Sequence, residues 1–138
     1  MMWWIYALLS ALFAALTAIF AKIGIKGVDT DLATAIRTVV ILLIAWAIVL
    51  YKGTNQGISG LSKLNWTFLV LSGCATGLSW IFYFKALQLG KVSQVAPVDK
   101  LSVAIAIILS VIFLGEPLTL KTGMGALLII SGTLVLIF

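Results

Sequence analysis

Asp99 and Lys100 stand side by side near the start of a long apolar run that follows Ser93. A carboxylate in hydrocarbon is costly and normally seeks a basic partner, so an acid at such a place is read first as part of a proton relay, an ion path or a ligand site. Arg37 and Lys85 lie at similar depth, about one turn into other apolar stretches. Asp99 is therefore expected to pair with Arg37, Lys85 or Lys100 at the mouth of a cavity, and to be the leading candidate for coupling to a proton or cation. Snorkelling is the simpler account of Lys22 and Lys85, but it suits an arginine with an aspartate less well. A second set, Ser72, Thr76, Ser79 or Trp80, and Tyr83, falls on one helical face. Its hydroxyls either bond back to their own helix or line a cavity, where an aromatic face would suit a cation or a planar group. Glu116, between Gly115 and Pro117, is the second coupling candidate and reads more readily as a fixture of a tight hairpin.

Other chemistries are poorly supplied. There is no histidine and one cysteine, Cys74, which leaves no ordinary metal-ligand set, no internal disulfide and no implied cofactor. No nucleophile–base pair and no phosphate-cradling loop is present, so an enzyme is not expected. The net charge of +5 would point to nucleic acid in a soluble protein. Here the lysines flank apolar runs, where they act as interfacial anchors and topology signals.

The elements that must carry these residues are membrane helices. The 138 residues are 63% hydrophobic and 9% charged, and the mean hydropathy is +1.25. A soluble domain is nearer half apolar. Five apolar segments are predicted, at about residues 2–22, 32–51, 66–89, 93–114 and 120–138, each long enough to span with some tilt. Trp3, Trp4, Tyr6, Tyr51 and Trp66 are placed as headgroup-level anchors. The N-terminus lacks a basic opening and a small-residue cleavage site, so it reads as a retained span. The fold class is an all-α integral membrane domain over residues 1–138.

Within the first span, Ala7, Ala11 and Ala15 form one small-residue stripe, and Ser10, Ala14 and Ala18 the next. Such stripes let helix backbones approach in lipid. Asp29 or Asp31 is placed to cap the second span. The segment KGTNQGISGLSKLN is a connector. Gly73 and Gly77 make a GxxxG pair, and Gly123, Gly125 and Gly132 leave the last span open to tight packing. Pro97 allows two readings. A helix starting at Pro97 puts Asp99 in its first turn, where the helix dipole favours an anion; one starting near Ser93 makes Pro97 a kink. Asp99, Ser102 or Val103, Ala106 and Ser110 then share a face that could oppose the Ser72–Tyr83 stripe.

An odd number of spans puts the termini on opposite sides. Loop cations then balance: Lys22, Lys26 and Lys91 on one face, Lys52, Lys63 and Lys121 on the other. Adding Arg37, Lys85 and Lys100 tips the count and favours an outside N-terminus. A weak bias of this kind is what insertion in both orientations would require.

In FYFKALQLGKVSQVAPV (82–98), the run ending FLGEPLT (113–119) and GMGALLIISGTLVL (123–136), the chain resembles the EamA-domain transporters of the drug/metabolite transporter superfamily. Typical members have ten spans in two inverted five-span repeats, so the resemblance implies one repeat of that fold. It is similar to the short bacterial members, which implies a multi-pass protein of the bacterial inner membrane that works as a dimer. Two copies in opposite orientations would recreate the inverted repeat and allow alternating access. The expected function is secondary transport of a small polar or amphipathic solute. Ser72, Thr76, Trp80, Tyr83, Arg37, Asp99 and Lys100 are placed at the substrate, and Asp99 and Glu116 at coupling. The expected partners are the solute, membrane lipid and a second copy, with no nucleic acid. The sign of the solute stays open, because the basic excess suits an anion while the stripe suits a cation. A non-transporting subunit that assembles with another membrane protein is the alternative.

Overall fold

Lipid offers a backbone amide no hydrogen-bond partner, and this chain meets that condition with helix. The computed structural model describes residues 2–138. Its elements are α1 (Trp3–Gly24), α2 (Thr30–Tyr51), a 3₁₀ helix (Thr54–Gly60), α3 (Lys63–Leu89), α4 (Val92–Asp99), α5 (Leu101–Leu114) and α6 (Leu120–Ile137). No strand occurs among the described residues. Five stretches are long and apolar enough to cross a membrane: α1, α2, α3, Val92–Leu114 and α6. The five predicted spans are all present. The second connector carries the 3₁₀ helix, and α3 begins at Lys63, a turn before the predicted start. Two compact units divide the chain, one made of residues up to 20 together with 89–138, the other of 21–88.

In the 21–88 unit, the ends of the helices are set by local chemistry. Asp29 is the cap of α2: its carboxylate accepts the amides of Asp31 at 3.0 Å and Leu32 at 2.9 Å. Gly27 has φ +71°, a left-handed turn that a side chain would strain, and it helps the chain reverse between α1 and α2. Phe84 and Leu87 on α3 are fully buried, as are Thr30 and Thr34 on α2 to within a few per cent. The threonine hydroxyls are satisfied inside α2, Thr34 donating to Thr30 O and Thr38 to Thr34 O, both at 2.8 Å.

In the other unit, the fourth span is a broken helix. Regular structure starts at Val92, so Pro97 lies inside α4 rather than at its head. The proline has no N–H to give, and the helix is interrupted at Lys100, whose amide turns back to Pro97 O at 3.0 Å and Ala96 O at 3.3 Å. Asp99 is therefore the last residue of α4, not a first-turn residue. There the negative end of one helix meets the positive end of the next, so the dipole gives the carboxylate no clear advantage. Thr133, buried on α6, holds the break from outside: its Oγ1 lies 2.8 Å from Ile129 O and 3.2 Å from Pro97 O. Its single proton is shared between a carbonyl of its own helix and one of α4.

The hairpin after α5 turns on Gly115, at φ +67°, with the Glu116 amide donating to Ser110 O at 3.3 Å. Thr119 then caps α6 through the amide of Thr122 at 3.2 Å. Between α5 and α6 runs an open apolar groove of about 590 Å³, walled by residues such as Ile107, Ile108, Leu118, Met124 and Leu127.

The glycines expected to pack tightly do not do so within the chain. A Cβ built at Gly73, Gly77, Gly123, Gly125 or Gly132 meets nothing within 4 Å. Most large apolar side chains on the spans are likewise uncovered by the chain's own atoms. Thr133→Val keeps the shape of the side chain but removes the bond to Pro97 O, and should lower stability in SDS unfolding by about 0.5–2 kcal/mol. Thr133→Ser, which keeps the hydroxyl, should recover most of that loss.

Candidate functional site

Arg37 sits seven residues beyond the start of α2, about 10 Å along the helix axis. Thr30, Thr34 and Arg37 follow one another at i, i+4 and i+7, so one face of α2 carries all three. The opposing wall comes from α3, where Trp80, Phe84 and Leu87 recur at helical spacing. The result is a cation–π contact with two rings: Arg37 Cζ lies over both, 4.4 Å from the centre of the Phe84 ring and 5.2 Å from that of Trp80. Tyr83 stands beside them, its ring edge-on to Phe84 at 6.2 Å and 80°. Arg37, Trp80 and Tyr83 are half-buried, while Phe84 is fully covered.

Magnitudes explain why an arginine is tolerated there. Placing arginine at the centre of a span costs about 2.5–3.5 kcal/mol on insertion scales, less towards the ends. Each ring contact returns about 0.5–2 kcal/mol, more when desolvated. Two rings thus offset much of the penalty without any carboxylate.

Nearer the helix ends of this unit the contacts are of another kind. Lys85 pairs with Asp31 at 3.6 Å, with both side chains more than half exposed. Lys22 donates to the carbonyl of Leu87, and Gln88 Nε2 to that of Val28 at 3.1 Å. These bonds tie the last turns of α1 and α3 and the α1–α2 turn together, at the level where long polar side chains reach water.

In the other unit, Asp99 makes its ion pair with Lys100, its neighbour in sequence, at 3.2 Å. Of the three partners expected for this carboxylate, Lys100 is the one it holds, and Lys85 holds Asp31 instead. The pair is partly exposed and lies at the α4–α5 break. Glu116 is exposed in the hairpin, where its backbone amide rather than its carboxylate makes the closing bond.

Along α3 the expected polar stripe divides in two. Ser72 and Thr76 are exposed, and Thr76 Oγ1 donates to Ser72 O at 2.9 Å, a bond within its own helix. Trp80, expected to offer an aromatic face to a solute, has a face covered by the chain's own Arg37. Sequence reasoning passed over Phe84 and the Asp31–Lys85 pair. The spacing from Trp80 to Phe84 was a usable signal for the first, but in a span full of aromatics it marks no residue as special. No cluster of three or more metal-binding side chains occurs among the described residues.

Five helices long and apolar enough to span a bilayer make this a multi-pass membrane protein. The chain belongs to the EamA-like transporter family, which it matches over residues 1–138. It is 52% identical over 134 residues to a Sinorhizobium protein named as an uncharacterized transporter in the cobO 3′ region, covering 97% of this chain and 95% of that one. It is 33% identical over 132 residues to an uncharacterized protein of Methanocaldococcus jannaschii, covering 96% of this chain and 93% of the other. Both relatives are thus about as long as this chain. No solved structure matches. Membership points to a transporter rather than an enzyme.

A double-mutant cycle tests the cation–π contact. Arg37→Met and Phe84→Leu should couple by about 0.5–2 kcal/mol in unfolding measurements. The exposed Asp31–Lys85 pair, probed with Asp31→Asn and Lys85→Gln, should couple by less than about 1 kcal/mol.

Proposed function

We propose that this chain is a secondary transporter of a small polar or amphipathic solute, multi-pass in a bacterial inner membrane, acting as a dimer by alternating access. The observation that carries the solute pathway is Arg37, a half-buried guanidinium well inside a span and lying over aromatic rings. An intramembrane charge of this kind is read by default as a functional site. Trp80, Tyr83, Arg37, Ser72 and Thr76 line the pathway in this reading, and Lys100 has its role as the partner of Asp99.

Asp99 is the coupling carboxylate. At the α4–α5 break it faces Lys100 at 3.2 Å, so taking up a proton neutralises the carboxylate and releases the lysine. A broken helix is a natural place for such a step, because its backbone is already free of full helical bonding. Glu116, exposed in the hairpin, is the secondary candidate.

The dimer is supported by what the protomer leaves uncovered. The glycine positions of α3 and α6 have open space where a neighbour's backbone could pack, and the α5–α6 groove is apolar and open. The chain spans nearly the whole length of both relatives, and in this reading a second copy supplies the other repeat. The near balance of loop cations fits copies in opposite orientations.

Asp99→Asn should lower concentrative uptake or efflux in cells at least about tenfold while leaving the protein folded and dimeric by size exclusion. Unaltered transport in that variant removes Asp99 from the mechanism. Accessibility tags on both termini should report each terminus on both sides of the membrane. One uniform orientation rules out the antiparallel arrangement.

A further inference from the structure

We infer that Arg37 is an oxyanion site, and that the solute is an organic carboxylate carrying a planar apolar body. This rests on the transport reading above and adds the sign and shape of what is carried. The 21–88 unit is poor in carboxylates. That segment contains two, Asp29 and Asp31, against the cations Lys22, Lys26, Arg37, Lys52, Lys63 and Lys85. Asp29 is committed to the amides that start α2, and Asp31 to Lys85. Neither serves Arg37.

The rings of Trp80 and Phe84 neutralise part of the arginine's penalty but leave its chemistry unused. A guanidinium over a ring face is held there by its charge, and its five N–H donors, which lie in one plane, remain for hydrogen bonding along the edge. That edge is a fork suited to two oxygens of one carboxylate. The ring contacts also hold the fork in place, so less side-chain entropy is lost when an anion binds. Beside it, Trp80 and Tyr83 are half-buried and the surrounding helix faces are apolar. A planar hydrocarbon body attached to the carboxylate would find a wall there.

The same contact argues against a cationic solute at this place. A face of Trp80 already bears the protein's own positive charge at 5.2 Å, and a second cation would be repelled by it. A lipid phosphate is the other source of an oxyanion. Arg37 lies a turn or more deeper along α2 than Asp31, whose pair with Lys85 occupies the helix-end level, and that depth favours a solute over a headgroup.

Arg37 is the chain's single arginine, so arginine labelled with ¹⁵N gives one Nε signal from the intact protein. The protein is held in nanodiscs of zwitterionic lipid and titrated with 1-naphthoate, then with the neutral 1-naphthamide. Naphthoate should move the Nε signal saturably and naphthamide should not. By calorimetry, Arg37→Gln should weaken naphthoate at least about tenfold and leave naphthamide unchanged; Arg37→Lys, which keeps the charge but not the fork, should fall between. An Nε signal indifferent to naphthoate, equal responses to both probes, or unaltered naphthoate affinity in Arg37→Gln overturns the proposal. So does a signal that moves only when anionic lipid is added, which would make the site a headgroup contact. Asp99→Asn is the internal control: if it alone moves the signal and abolishes the naphthoate response, the oxyanion belongs to the protein. Loss of naphthoate flux in proteoliposomes with the Nε response intact would count against transport and not against the site.

Discussion

A peptide group in hydrocarbon must find its partner within the protein, and each unsatisfied one costs several kcal/mol. That constraint explains the helices directly, and it makes every interruption of a helix expensive unless something answers for it. The answers here are specific. At Lys100 the amide folds back onto Pro97 and Ala96, and Thr133 brings a hydroxyl from α6 to the Pro97 carbonyl. At Gly115 a left-handed residue lets the next amide reach Ser110. Asp29 closes the start of α2 with its own side chain. The breaks are where backbone and side chain exchange partners, and the acidic residues Asp99 and Glu116 sit at two of them.

The treatment of charge follows from the same solvent. Near the ends of the spans in the 21–88 unit, cations pair with an ion or a carbonyl: Lys85 with Asp31 in an exposed pair, Lys22 with the Leu87 carbonyl. Farther in, Arg37 is held by rings instead. Aromatic faces suit that position because they stabilise a cation without themselves needing hydration. A buried carboxylate would have had to be desolvated too, and the gain from pairing would have been spent on that.

Much about this protein could be read without coordinates. A period of apolar runs near twenty residues long, bounded by lysine, glycine and aromatic residues, states the number of spans and nearly their ends, because in lipid the length of a helix is set by the bilayer and not by its neighbours. The Gly115-Glu116-Pro117 break and the cap before α2 were visible for a similar reason, since turn chemistry is local. The start of α3 was placed a turn late, because Lys63, Leu64 and Asn65 resemble loop by composition and become helix only by continuing one.

Partnership was another matter. Sequence alone listed three basic residues that Asp99 might take, and could not rank them, because helical spacing says which residues share a face but not which face meets which helix. Tertiary structure decided that Lys85 belongs to Asp31, that Lys100 belongs to Asp99, and that Arg37 belongs to Trp80 and Phe84. Phe84 could not be picked out beforehand: in a chain that is 63% hydrophobic, apolarity no longer separates inside from outside, and only packing distinguishes a ring beneath a guanidinium from a ring facing lipid. The sequence therefore determined the family, the spans and their breaks, which depend on solvent and local turns; the electrostatic pairing was decided by how one helix rotates against another, a property no single helix contains.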